Sequence, residues 1–192
     1  MKSIAVFCAS SIRSKEIYKE AAYNCGKALA KKNIRLVYGG ASVGLMGALA
    51  DGALEAGGDV IGVLPHFLDR REIAHKKIEM IRVKSMHERK LKMHELSDAC
   101  LTLPGGFGTM EEFFEMLTWA QLGLHEKPNA ILNVNGFYDS LINQFDVMVM
   151  EGLLKEKHRD ILLIDNNIDA LIDKVLNYKA PEVKEWLKKK RL

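Results

Sequence analysis

Cysteine is scarce in this chain, and what is missing narrows the reading quickly. Cys8, Cys25 and Cys100 are three cysteines in 192 residues, too few and too scattered for a disulfide framework or a zinc site. Cys8 and Cys100 each sit in an apolar run, which predicts buried thiols. Long hydrophobic stretches are absent as well. Nothing approaches the ~20 apolar residues of a membrane span. The start, Met1-Lys2 followed by a short apolar run broken at Ser10-Ser11, does not read as a signal peptide. The expected compartment is therefore a reducing cytosol, the cytoplasm, with no membrane partner.

Charge of one sign is also in short supply. The formal net charge of +3 does not imply nucleic acid. Much of that excess lies in the tail, where Lys188, Lys189, Lys190 and Arg191 follow Lys184; they read as a solvated helix end. No metal is predicted: His87 and His94 are too far apart for a zinc helix, and His94-Glu95 lacks the second histidine. The histidines read as surface or packing residues. No cofactor is predicted either.

What is present is an ordinary globular composition, 48% hydrophobic and 28% charged, in a length that suits one domain over residues 1–192. Short apolar runs alternate with longer helical patterns. Strands are expected at Ile4 to Ala9, Arg35 to Tyr38, Asp59 to Leu64, Cys100 to Leu103, Ala130 to Val134 and Ile161 to Ile164. Helices are expected at Lys15 to Lys31, Gly44 to Ala56, Met86 to Leu96, Thr109 to Leu124, Tyr138 to Glu151 and Asn167 or Ile168 to Asn177, with Glu182 to Lys190 closing the chain. Residues 66 to 84 read as a loop with a short strand from Ile78 to Val83. Uniformly apolar strands alternating with helices predict an α/β fold: a single Rossmann-like, doubly wound parallel sheet with helices on both faces.

In such a sheet, ligands bind beyond the carboxyl ends of the strands. Three junctions there stand out: Ser10-Ser11, the run Gly39-Gly40-Ala41-Ser42-Val43-Gly44-Leu45-Met46-Gly47, and Pro104-Gly105-Gly106-Phe107-Gly108-Thr109. Glycines at a strand-to-helix turn let backbone approach a ligand, and the amides at the helix start attract an anion such as phosphate. Thr109 is placed to cap that helix or to offer its hydroxyl. No Gly-Lys-Ser/Thr follows either glycine turn, and the glycines lack dinucleotide spacing. A kinase or a dehydrogenase is not favoured.

The helix after the third junction carries Glu111, Glu112 and Glu115 near its start. Dipole compensation accounts for Glu111 and Glu115. Glu112 would repel a phosphate on the loop unless it had a target of its own, such as ribose hydroxyls or an anomeric carbon turning cationic. Upstream, Arg89-Lys90 reads as a solvated helix pair or as an Arg fork near the anion site.

These residues carry a resemblance. Pro104 to Glu112 spells P-G-G-x-G-T-x-x-E. With Arg89-Lys90 upstream, Thr118-Trp119-Ala120-Gln121-Leu122-Gly123, Arg71-Glu72-Ile73 and the other two junctions, the chain resembles the Lonely Guy family. That family consists of cytokinin-activating phosphoribohydrolases. The resemblance implies a Rossmann-like homodimer that splits cytokinin riboside 5′-monophosphates, and AMP, into free base and ribose 5-phosphate. It implies Arg89 and Glu112 as the catalytic pair. Substrate would be held by Ser10, Gly39, Gly40, Glu72, Arg89, Lys90 and Thr118, together with Gly105, Gly106, Phe107, Gly108, Thr109, Met110, Glu111 and Glu112. The chain departs from the family pattern at Ala9 and Ala41, where glycines are usual.

The apolar helix bearing Phe113, Phe114 and Trp119 is expected to face another subunit, with Thr118 about 120° around it from Glu112. Three rival readings follow from the same features. Similar sequences have been labelled lysine decarboxylases, but no lysine has a context suited to a pyridoxal phosphate Schiff base. A non-catalytic nucleotide or molybdenum-cofactor carrier would use the glycine loops without breaking a bond. A protein-interaction or DNA-uptake module is disfavoured by the modest charge.

Overall fold

The computed structural model describes residues 1–68 and 74–181. The expectations for Glu72, for Arg71 and Ile73, and for the Glu182 to Lys190 close of the chain lie outside the described residues. The elements run β1 (Ser3–Phe7), α1 (Glu16–Lys31), β2 (Arg35–Tyr38), α2 (Gly44–Glu55), β3 (Val60–Pro65), β4 (Glu79–Val83) and α3 (Met86–Glu95). They continue as β5 (Ala99–Thr102), α4 (Phe107–Gln121), β6 (Asn129–Leu132), α5 (Asp139–Met150), α6 (Glu156–Arg159), β7 (Leu162–Asp165) and α7 (Ile168–Leu176).

The seven strands form one sheet in the order β4-β3-β2-β1-β5-β6-β7, and every neighbouring pair is parallel. Side chains alternate across each strand, so β1 feeds both faces. Ile4 and Val6 pack with residues of α1, α2 and α7. Ala5 and Phe7 pack with Met93 of α3 and Met116 of α4. A third cluster joins Phe113 of α4 to Phe145 of α5 and Ile131 of β6. Apolar residues on both faces of the strands thus account for helices on both sides.

The chain moves outward from β1 to β4 and then returns to lay β5 on the other flank of β1. The strand order reverses there, so the loops after β1 and β5 diverge and leave a crevice, the usual ligand position in this architecture. The two loops remain stitched together below it: Leu103 N–H donates to Phe7 O at 2.9 Å and Ala9 N–H to Pro104 O at 3.3 Å. The amides of Leu45 and Met46, at the start of α2, both donate to Ala9 O. Three junctions singled out in the sequence therefore meet at one point.

Candidate active site

A cleft of about 340 Å³ opens at this reversal. Cys8, Ser10 and Ser11 from the β1 loop, Met46 from α2, Leu68, Met86 and Arg89 near and on α3, and Gly106, Gly108, Thr109 and Glu112 at the start of α4 line it. A larger depression of about 470 Å³ lies at the opposite, amino-terminal edge of the sheet, beside Lys2, Arg35, Asp59 and Asp98. Those charged groups are exposed, so that depression lacks buried charged groups. The smaller cleft has them.

Arg89 and Glu112 are both buried, each 4% exposed, and Arg89 Nη1 lies 3.5 Å from Glu112 Oε1. A solvated helix face is thus the wrong reading of the Arg89-Lys90 pair, for Lys90 is also 4% exposed. Both cations sit in the α3/α4 seam, where burial demands partners. The Arg89 guanidinium donates from Nε to Val63 O at 3.1 Å, and its Nη2 is buried with no hydrogen-bond partner among the described residues. An orphaned donor on a buried cation is costly, and an anion or a lone pair in the cleft would satisfy it. Gly39 makes the guanidinium's position possible: a Cβ there would collide with Arg89 Nη2.

The start of α4 differs from expectation by two residues. The helix begins at Phe107, and Gly106 is its N-cap with no side-chain capping bond. Thr109 is therefore inside the first turn and does not cap it. The first helical hydrogen bond is Met110 N–H to Gly106 O, 3.0 Å, so the Phe107, Gly108 and Thr109 amides precede the helical ladder. A Cβ at Gly106 or Gly108 would meet nothing within 4 Å, which leaves the approach to those amides open.

The thiol of Cys8 lines the cleft as a neutral group. Burial, the neighbouring Cys25 and the Glu112 carboxylate push its pKa well up, against a smaller downward pull from Arg89.

Not every residue expected at the site lines this cleft. Lys90 points away from it: Nζ bonds to Glu111 and lies 3.0 Å from Glu115 Oε2. Dipole compensation therefore understates Glu111 and Glu115. Gly40, at φ +85°, serves as a turn whose carbonyl accepts from His75 N–H. Met110 packs into the α4/α5 cluster, Gly105 touches Thr109, and Phe107 is 97% exposed. Thr118 is exposed on α4. Phe113 is in the core, so only Phe114 and part of Trp119 remain for a subunit contact. Cys8, Leu68 and Met86 also line the cleft; apolar or weakly polar side chains of this kind carry no sequence signal beyond their neighbourhood, whereas Met46 lies in the second glycine-bearing junction.

A parallel sheet whose strand reversal opens onto an uncapped, glycine-rich helix start belongs to the Rossmann-like α/β proteins, and the buried Arg–Glu pair narrows the class. A family model described as "Possible lysine decarboxylase" matches residues 46–175. Cytokinin riboside 5′-monophosphate phosphoribohydrolase LOG1 of Arabidopsis thaliana is 44% identical over 191 residues, 96% of this chain and 90% of its own. LOG3 of the same plant is 43% identical, over 92% of this chain and 83% of its own. LOG of Oryza sativa subsp. japonica is 43% identical, over 94% and 75%. The chain belongs to the Lonely Guy family.

Among solved structures, the molybdenum cofactor binding protein of Rippkaea orientalis superposes with a TM-score of 0.68 at 20% identity, covering 92% of this chain and 96% of that one. The Moco carrier protein of Chlamydomonas reinhardtii gives 0.68 at 21% identity, covering 91% and 97%. These likenesses concern the fold. A pyridoxal phosphate decarboxylase does not fit the site: among the described residues, no lysine lines the cleft. The nearby buried lysine, Lys90, has its pKa raised, two carboxylates outweighing the downward pull of burial. A Schiff-base lysine needs the opposite shift.

Proposed function

We propose that this protein hydrolyses the N-glycosidic bond of cytokinin riboside 5′-monophosphates, and of AMP, releasing an adenine-type base and ribose 5-phosphate. The carrying observation is the buried Arg89–Glu112 pair in one wall of a cleft that also holds the open start of α4. The amides of Phe107, Gly108 and Thr109 hold the 5′-phosphate at the positive end of the helix. Glu112, one turn further on, accepts from the ribose hydroxyls and stabilises the positive charge that develops on the sugar as the bond breaks. It also orients the attacking water. A guanidinium is a permanent cation with five N–H donors, so Arg89 stabilises charge on the departing purine and does not deliver a proton.

A carrier that only held phosphate would gain nothing from a buried carboxylate in the same cleft, because the two charges repel. The phosphate cradle is tested by comparing AMP with adenosine. Three charge-assisted amide contacts at about 1.5 kcal/mol each predict a kcat/KM lower by roughly 10³-fold for adenosine. Equal processing of both would remove the cradle from the account.

The working form is a cytosolic homodimer in which α4 meets its counterpart through Phe114 and Thr118, both exposed here. Sedimentation measures the assembly. Restoration of activity on mixing inactive Thr118 and Glu112 variants tests whether Thr118 serves the neighbouring site.

A further inference from the structure

Arg89 and Lys90 are adjacent on α3, and Glu111, Glu112 and Glu115 occupy the first turns of α4. Neighbouring helix residues point ~100° apart, so the charges sort into two layers. Arg89 faces the cleft and meets Glu112. Lys90 faces outward from it and is held by Glu111 and Glu115, which share one helix stripe because they are four residues apart. The outer layer is only partly at the surface: Lys90's side chain is 4% exposed and Glu115's 24%, while Glu111's is 55%. By comparison, the Lys92–Glu95 pair on α3 is 40% and 52% exposed.

We propose that Glu115, with Glu111, acts through Lys90 as a positioning device for the hydrolytic pair. It locks α3 to α4 in the register that brings Glu112 to Arg89, and it keeps the Lys90 ammonium off Glu112. Burial lowers the Lys90 pKa and the two carboxylates raise it by more, so Lys90 stays charged and must bond to a carboxylate. Without Glu115, Lys90 keeps only the half-exposed Glu111, and the other carboxylate on the same seam is Glu112. An ammonium there would occupy lone pairs that the ribose hydroxyls need.

The kinetic consequence rests on the phosphoribohydrolase reading, and it separates this role from direct substrate binding by Lys90. Glu115→Gln and Lys90→Met should each lower kcat about tenfold or more while KM changes less than about threefold. The double variant should be no worse than Lys90→Met alone. A structural readout accompanies the kinetics: the Arg89 Nε–H resonance, assigned by its loss in Arg89→Lys and reporting the bond to Val63 O. It should move in both single variants and move no further in the double. An unmoved resonance in Glu115→Gln overturns the inference. So does a Lys90→Met that raises KM with kcat intact. If the wild-type protein releases no base, the hydrolase reading has failed, and the resonance alone still decides the positioning claim.

Discussion

At the scale of single residues, the site depends on a missing Cβ as much as on charged groups. Gly39 is the floor on which the Arg89 guanidinium rests. Gly39→Ala should displace Arg89 and lower kcat by at least about tenfold, at little cost in stability because the atoms a Cβ would meet are the mobile ends of Arg89 and Met46. Steady-state kinetics and thermal melting measure the two effects, and an unchanged kcat would mean that Arg89 need not sit there. The cysteines give a second prediction. Cys8, Cys25 and Cys100 are buried, and burial pushes the last two thiols up to about 12. A thiol reagent at pH 8 should therefore titrate none of them until the protein unfolds; rapid modification of the native protein would contradict this.

That Arg89 and Glu112 meet in one cleft is legible in the sequence because their motif is distinctive. The partner of Lys90 is not, because Glu111 and Glu115 are 21 and 25 positions away and only the fold places two helices side by side.

Among elements, α4 carries Gly108, Thr109 and Glu112 of the cleft, and its far end is anchored by an unusual pair. The rings of His94 and His125 lie 4.7 Å apart, and His94 meets the edge of Trp119 on α4. His125 Nδ1 accepts from Lys127 N–H, which puts its proton on Nε2, facing Met116 O at 3.1 Å. Burial drives the pKa of His94 down to about 3 and that of His125 to about 4, Lys127 adding to both.

A depressed histidine pKa means that the folded state refuses a proton the unfolded state accepts. Stability from this pair is therefore complete above about pH 6.5 and lost as pH falls towards 4. His94→Phe keeps an edge contact to Trp119 and removes a buried nitrogen, Nδ1, that has no hydrogen-bond partner among the described residues. The melting temperature of this variant should fall less steeply than that of wild type between pH 6.5 and 4. Superimposable acid limbs would contradict the neutral-pair description.

Most elements followed from hydrophobic period, including the edge strand β4 in a segment that reads as mostly loop. The start of α4 did not, because glycines disfavour helix interiors and Gly106-Phe107-Gly108 resembles a loop. Helix α6, four residues long, is too short to show any period.

For the whole molecule, alternating strands and helices announced a parallel sheet, but not that β1 and β5 would lie side by side. That adjacency comes from the crossover after α3, a contact across 95 residues such as Ile4 with Ala99. It turns three glycine- and serine-bearing junctions into one cleft. Nucleotide binding there should stabilise the entire fold. In a Glu112→Gln variant, which would hold AMP without consuming it, ligand at 100 times its Kd contributes about 2.7 kcal/mol. For a chain of this size that raises Tm by roughly 5–10 °C. No shift would mean that the cleft does not take AMP.

The most direct measurement is base release itself: wild-type protein and Glu112→Ala incubated in parallel with AMP and with isopentenyladenosine monophosphate, the products resolved by chromatography. The account predicts free base and ribose 5-phosphate in equal amounts from the wild type, with kcat lower by about 10²-fold or more in Glu112→Ala. Nucleotide bound but left intact by the wild type, or cleaved equally well without the Glu112 carboxylate, would contradict it.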